Sequence, residues 1–392
     1  MTHDTWDILL TVILETKMKI GLVCPYDMFR GGGVQEHVLA QAVELRKRGH
    51  TVKILTPRPR KNGEHPPANV IYVGNSTLVK TPISTSHEWG MAIDLEGIEE
   101  LLASENFDLM HVHEPEVPII GAQIIAKATC PVVATFHAIH PDTPMARTIG
   151  ALRVPYARPI FSRLSAITAV SNVAAGFVKE HTHHEVSIIP NGIDLHKYDP
   201  AKANLKRQPD TILYIGRLEK RKGVKYLIKA TAELQKKRPS VELIIAGSGP
   251  DRAKLEQLVK ELKLSKVTFL GFVDEATKLE LLASSSLFCS PALYGESFGI
   301  VLLEAMAMGV VIVAGNNPGY VSVMEGHGKI SVVNPKDTED FARRLELLLY
   351  DETLRKSWLN WSQKYVKQFD YKKVVDQYEA LYKEQIKKNK KQ

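Results

Sequence analysis

What most limits the folding of this chain is one pattern that runs through its length twice. Short, β-rich apolar runs alternate with longer segments of helical period. The first series places strands at Lys19–Cys24, Thr51–Thr56, Asp108–His113, Pro131–His137, Ala166–Val170 and Val186–Pro190. Between the first two lies Val34–Arg48, where Val34, Val38, Ala42 and Leu45 share a helical face and Gly49 is a stop signal. Strand runs that are apolar throughout and separated by helices read as a parallel sheet covered on both faces. Around Asp199–Asp210 the pattern pauses in a polar, Lys-rich stretch. It restarts with Thr211–Gly216, Val241–Ala246, Val267–Phe272, Leu287–Ser290 and Val310–Ala314. The reading is α/β, with two doubly wound, Rossmann-like domains at 18–200 and 201–370 and a helical segment at 371–392. Ligands of such sheets sit beyond the carboxyl ends of the strands, so a shared site between the domains is built from strand-end loops of both.

The remaining bulk properties narrow the class. Residues 1–17 are read as an extension: Trp6–Leu14 is apolar but too short to cross a bilayer, and Asp4 and Asp7 stand where a signal peptide carries positive charge. No other stretch is long and apolar enough to span, so membrane contact is expected to be weak and peripheral, and the location cytoplasmic, at the inner membrane face if at any membrane. Cys24, Cys130 and Cys289 are too scattered for a disulfide framework or a zinc site and suit a reducing compartment. The net charge of +7 is carried largely in clusters. Arg46-Lys47-Arg48 reads as a solvated helix end and Lys387–Lys391 as a frayed terminus, and no nucleic-acid partner is expected.

Three motifs carry chemistry. Gly31-Gly32-Gly33 follows the first strand and opens the first helix, where backbone N–H groups can approach a phosphate. Its spacing is not a dinucleotide fingerprint, and Gly247-Ser248-Gly249 lacks the third glycine, which removes the main support for a dehydrogenase. Gly216–Gly223 ends the first strand of the second domain. From it Arg217 and Lys222 can supply two positive charges to a diphosphate, while Lys220 and Arg221 read as solvated. Gly295–Glu304 places Glu296 before a helix and Glu304 about two turns inside it. Eight residues of helical rise is roughly 12 Å, beyond the roughly 5–9.5 Å of a glycosidase pair. The two carboxylates can hold the ends of an extended ligand instead, with the amides of Phe298, Gly299 and Ile300 facing a phosphate between them.

The histidines are weaker signals. His137 ends a strand, where an exposed tip would look into the cleft. His111 and His113 alternate on one strand and His181, His183 and His184 crowd one loop, but neither group has an obvious third metal ligand. They read as strand-end and surface histidines, and no metal site is expected.

Together these residues resemble glycosyltransferase family 4, the retaining family of GT-B fold. The resemblance runs from Met18 to about Tyr382. It rests on Gly32-Gly33-Val34-Gln35, Thr135-Phe136-His137, Pro190-Asn191-Gly192-Ile193-Asp194, Gly216-Arg217 with Lys222-Gly223, and the Glu296/Glu304 pair. Within the family, Cys24-Pro25-Tyr26, His113-Glu114-Pro115, Val273–Lys278 and Gly295–Gly309 are similar to the bacterial phosphatidylinositol mannosyltransferases. The resemblance implies that Arg217, Lys222 and the Gly32-Gly33 backbone hold a diphosphate and Glu304 a ribose. Glu296 would bind the donor sugar with His137 near it, and Val273 and Lys278 would lie by the base. It implies a hexosyltransferase using GDP-mannose, with a UDP-sugar as the other option, and a glycan or lipid-linked acceptor. No cofactor is required, and any Mg2+ would not be held by the protein. It also implies a last helix that crosses back to the first domain.

The acceptor side departs from those mannosyltransferases. Trp89–Glu100 carries Asp94, Glu96, Glu99 and Glu100 where they have basic residues, and Glu116 replaces an amide. Like charges there repel an anionic membrane, which argues against phosphatidylinositol. The other readings are a GT-B epimerase or phosphorylase, because fold alone does not fix a reaction, and a nucleotide-binding regulatory protein.

Overall fold

A computed structural model describes residues 17–391, apart from 30, 60–64, 80–86, 92–94, 118, 139–158 and 204. The extension at 1–16 and Asp94 of the acidic segment lie outside the described residues. Of that segment, Glu99 is paired with Lys127 on the neighbouring helix Ile120–Lys127.

The apolar runs become two sheets. The first contains β1 (Lys19–Val23), β2 (Thr51–Arg58), β3 (Val70–Val79), β4 (His87–Met91), β5 (Leu109–His113), β6 (Val132–Phe136), β7 (Ala166–Ala169) and β8 (Val186–Ile188), in the order β4-β3-β2-β1-β5-β6-β7-β8. All neighbours are parallel except β3 and β4. This antiparallel edge was not expected from the sequence: β4 is short and opens with His87-Glu88, and β3 is broken by Gly74-Asn75-Ser76-Thr77, so neither reads as a continuous apolar run. The second sheet contains β9 (Thr211–Ile215), β10 (Glu242–Ala246), β11 (Val267–Gly271), β12 (Leu287–Ser290), β13 (Val311–Gly315) and the two-residue β14 (Val332–Val333), parallel throughout, in the order β11-β10-β9-β12-β13-β14. In both sheets the order reverses beside the first strand, which opens a crevice at the strand ends.

Side chains alternate across β5 and β6, and this places the polar stripe that matters below. Met110, Val112, Ala134 and Phe136 join one core, and Leu109 and Val133 the other. His111, His113, Thr135 and His137 therefore share the second face. That face is covered by helix Gly33–Lys47 and by the last helix, Tyr371–Asn389, whose Val374, Val375, Tyr378 and Tyr382 are fully buried with Ile20, Leu22 and Leu109. Arg48 pins the two helices together, donating to Glu379 at 2.9 Å, Asp376 at 2.7 Å and the carbonyl of Lys372 at 2.7 Å. The expectation that Arg46-Lys47-Arg48 is simply a solvated helix end is corrected here for Arg48, which has this network, and for Arg46, which donates to the carbonyl of Val52.

Among the described residues no helix is long and apolar enough to cross a membrane. Cys24 and Cys289 are buried, Cys130 is partly buried, and all three are free thiols.

Candidate active site

The crevices of the two sheets face each other around a cavity of about 560 Å³. The first domain contributes Tyr26 and Asp27 after β1, Gly31 to Gln35 at the start of the first helix, Glu114 after β5 and His137 after β6. The second contributes Arg217 after β9, Lys222, and the loop Gly295–Gly299 that leads into helix Ile300–Ala307. Nine of the residues singled out from sequence thus meet in one space: Gly32, Gly33, His137, Arg217, Lys222, Glu296, Phe298, Gly299 and Ile300. The walls also touch. Ser171 donates to the carbonyl of Ser297 at 2.6 Å, and Gly33 lies against the Ile300 side chain.

Glu304, Lys278 and Val273 lie outside that space. Glu304 lines a second hollow of about 310 Å³ that shares Ile300 with the first, and Val273 lines neither. Glu304 is buried on the second turn of its helix. Its Oε1 accepts from Tyr198 Oη at 2.7 Å and Lys278 Nζ at 2.9 Å. Burial disfavours the charge on Lys278, but Glu304 and Glu275 outweigh it and raise its pKa. Burial and then Glu304 push the Tyr198 hydroxyl above its ordinary range, so it remains a donor. Both contacts use one oxygen of Glu304, so the other can accept from a ligand hydroxyl.

The same division appears at Glu296. Its Oε1 meets Arg221 Nη1 at 2.6 Å and Lys222 Nζ at 2.8 Å. Arg221 also pairs with Glu219 at 3.2 Å, and Glu219 with Arg217 at 2.7 Å. Burial works against the Arg221 charge, yet Glu296 and Glu219 hold its pKa up. The sequence reading of Arg221 as a solvated loop residue is therefore corrected: it anchors the carboxylate beside the cavity. Nothing in the sequence separates Arg221 from Lys220, because a run of three basic residues looks alike until the loop fixes which of them turn inward.

The loop carrying Glu296 is held by close backbone packing. Gly299 caps its helix at φ 107°, a left-handed conformation that suits glycine. A Cβ on Gly319 would lie 1.9 Å from the carbonyl oxygen of Glu296. Gly319→Ala must therefore displace Glu296. The expected results are a loss of about 1–3 kcal/mol in stability and a fall in turnover of about tenfold for a sub-ångström misplacement. Thermal melts and steady-state kinetics of the one variant check both. Unchanged kinetics at unchanged stability would show that the loop yields freely.

His137 departs from its expected setting. It lines the cavity but is only 6% exposed, because its ring turns inward: Nε2 lies 2.9 Å from Nδ1 of His113. Its backbone N–H donates to Glu114 Oε1 at 2.8 Å, an arrangement made by the left-handed turn at Glu114, φ 50°. Burial, followed by His37 and His111, holds the His137 imidazole well below its usual range, so it is neutral. His111 and His113 are wholly buried rather than surface residues. His183 and His184 are exposed, as read.

Sequence reasoning missed Tyr198, Asp27 and His37, and quoted Glu114 only within a family motif, without a role. Tyr198 sits in the polar pause between domains, which carries no periodic signal. His37 lies two residues beyond the Gly-Gly-Val-Gln motif, on the buried face of an otherwise ordinary helix.

Comparison with known proteins gives two family matches: Glycosyltransferase Family 4 over residues 31–197 and Glycosyl transferases group 1 over 197–365. The phosphatidyl-myo-inositol mannosyltransferase of Mycolicibacterium smegmatis is 33% identical, with 93% of each chain covered. The MMP alpha-(1->4)-mannosyltransferase of Mycolicibacterium hassiacum is 27% identical, covering 94% of this chain and 98% of its own. Among solved structures, a sucrose-phosphate synthase from Thermosynechococcus elongatus matches with a TM-score of 0.75 at 21% identity, over 94% of this chain and 99% of that one. Anabaena HepE, solved with UDP and glucose, matches with a TM-score of 0.71 at 20% identity, over 94% and 100%.

Proposed function

This chain belongs to glycosyltransferase family 4, and on that premise we propose that it transfers mannose, with retention, from a nucleotide diphosphate-mannose to a hydroxyl of a glycan or lipid-linked acceptor. The observation that carries the reading is the arrangement on the second-domain wall. Two cations, Arg217 and Lys222, and the amides of a helix start face the Gly32-Gly33 backbone across the cavity. Glu296 and Glu304 also each keep one oxygen uncommitted. GDP is favoured as the nucleotide over UDP, in keeping with the resemblance to mannosyltransferases.

The proposed roles follow from the contacts. An incoming diphosphate competes with Glu296 for Lys222, and Arg221 keeps Glu296 in place while Lys222 is shared. The uncommitted oxygen of Glu296 then accepts from hydroxyls of the sugar, with His137 beside it. The uncommitted oxygen of Glu304 accepts from the ribose, and Lys278 and Val273 lie toward the base. As the bond from sugar to phosphate breaks, negative charge grows on the diphosphate. Arg217, Lys222 and the helix-start amides stabilise it in a partly enclosed space, where fixed charges act more strongly than in water. The acceptor hydroxyl attacks from the face the diphosphate leaves and gives its proton to the departing phosphate. No protein-held metal enters this scheme. The acceptor arrives past Tyr26, Asp27 and Glu114. The carboxyls of Asp27 and Glu114 suit a neutral, hydroxyl-rich molecule better than a phosphate group. Any membrane contact is peripheral, at the cytoplasmic face.

Thermal melting with GDP, UDP, ADP and their sugar conjugates tests the donor assignment. A ligand at 100 times its Kd adds about 2.7 kcal/mol, so GDP and GDP-mannose are expected to raise the Tm clearly above the other bases. A shift with UDP alone reassigns the nucleotide. No shift with any of them, from folded protein, removes the diphosphate site.

A further inference from the structure

Under the sugar end of the cleft three imidazoles converge from three different elements: His37 from helix Gly33–Lys47, His113 from the end of β5, and His137 from just past β6. All three are buried, and one ring nitrogen from each lies within 4.8 Å of the other two. Their ring centroids are 5.2–5.6 Å apart. Neither nitrogen of His37 has a hydrogen-bond partner, nor has Nε2 of His113. A buried polar atom left unpaired costs about 1–3 kcal/mol, so three on two adjacent rings is a large debt for a cluster with no ligand. The fourth histidine nearby, His111, differs in this respect. Its Nδ1 lies 2.6 Å from Tyr382 Oη and its Nε2 2.6 Å from Thr135 Oγ1, so both of its nitrogens are committed.

We propose that His37, His113 and His137 form a binding site for a divalent transition metal of the zinc class, beneath the cleft wall that His137 lines. Neutral imidazole is the ligand such ions take, and three of them with one open position is a familiar zinc arrangement. Zn–N bonds of about 2.0–2.1 Å in a tetrahedron put ligand nitrogens about 3.3 Å apart. The His113 and His137 nitrogens, now 2.9 Å apart, would open slightly as the ion replaces the proton between them, and the third would close by rotation of the His37 ring. An ion held here takes His137 away from the sugar, so zinc inhibits transfer. That consequence rests on the role proposed above for His137, whereas the binding itself does not.

The test uses the full chain, stripped of metal and titrated with Co2+. One equivalent is expected to bind with the intense visible bands of tetrahedral nitrogen coordination, and Zn2+ is expected to displace it. The bands should be lost in His37→Gln and kept in the double variant His183→Ala/His184→Ala. Should His37→Gln fail to fold, the wild type still decides. In its imidazole 1H–15N spectrum the first equivalent of Zn2+ must move the signals of His37, His113 and His137 and leave those of His183 and His184 in place. Absence of tetrahedral bands at stoichiometric Co2+, or bands that survive in folded His37→Gln, overturns the site. Binding without inhibition would leave the metal site standing and remove His137 from the sugar-binding reading.

Discussion

Lys222→Ala is expected to lower kcat/KM for sugar transfer by about 10²–10³-fold, the usual cost of removing one preorganised group that meets charge developing in the transition state. The fold should hardly notice. Glu296 keeps its contact with Arg221 at 2.6 Å when Lys222 is gone, so its carboxylate is not stranded, and a partly exposed pair of this kind is worth about 1 kcal/mol or less. Arg221→Ala should behave differently. It frees Glu296 on one side and breaks the chain through Glu219 to Arg217, so its loss should fall more on donor affinity than on the chemical step. The two variants, measured with a saturating acceptor and a range of donor concentrations, separate the cation that meets the phosphate from the one that positions the carboxylate. A Lys222→Ala enzyme within threefold of the wild type would remove Lys222 from the transition state.

A second large effect is expected in acid. His37 is wholly buried without a hydrogen bond, and burial holds its pKa at about 4 against the ordinary 6.5. Burial likewise lowers His111, His113 and His137 well below that value. Between pH 6.5 and 4 the unfolded chain takes up protons that these folded imidazoles refuse. Stability is therefore full above pH 6.5 and is lost as the pH falls. His37 alone accounts for about 3 kcal/mol by pH 4. Of the neighbours, the tyrosines packed against the cluster stay neutral throughout, since burial raises them. Glu114 works in the opposite direction, because burial and Glu116 push its carboxyl up to about 8, but it is one group against four. Urea melts of the metal-free protein from pH 7 to 4.5 should show a steep decline, and His37→Leu should make it shallower by about one proton. A flat profile would mean that water or a shift in packing already relieves the cluster.

How far all this can be read from the chain depends on the kind of signal. Continuous apolar runs place eleven of the fourteen strands within a residue or two, because a parallel strand buried on both faces has no other composition available. The strands that escape are β3, β4 and β14: β4 and β14 are sheet edges, β14 is only two residues long, and β3 is broken by Gly74-Asn75-Ser76-Thr77. At the site, Gly32, Gly33, Arg217, Lys222 and Glu296 are legible because each sits on a strand-end loop whose position the topology fixes. Arg221 and Lys222 are neighbours of similar charge, and only the short turn Lys220–Lys222 decides that both meet Glu296. The histidine cluster is the harder case. Each member is visible as a strand or helix residue, but their meeting needs the face of β5 and β6 to be known, and alternation gives that only after registers are set.

The last helix has a consequence for the order in which the protein can be made. Val374, Val375, Tyr378 and Tyr382 complete the core behind β1, β5 and β6, yet they leave the ribosome about 190 residues after β8. At about 5–20 residues per second that is a wait of roughly 10–40 s. Through it the first-made half must stand with one apolar face and its imidazoles open to water, while the second half emerges with every strand of its own sheet in hand. The half translated first is thus the half that finishes last.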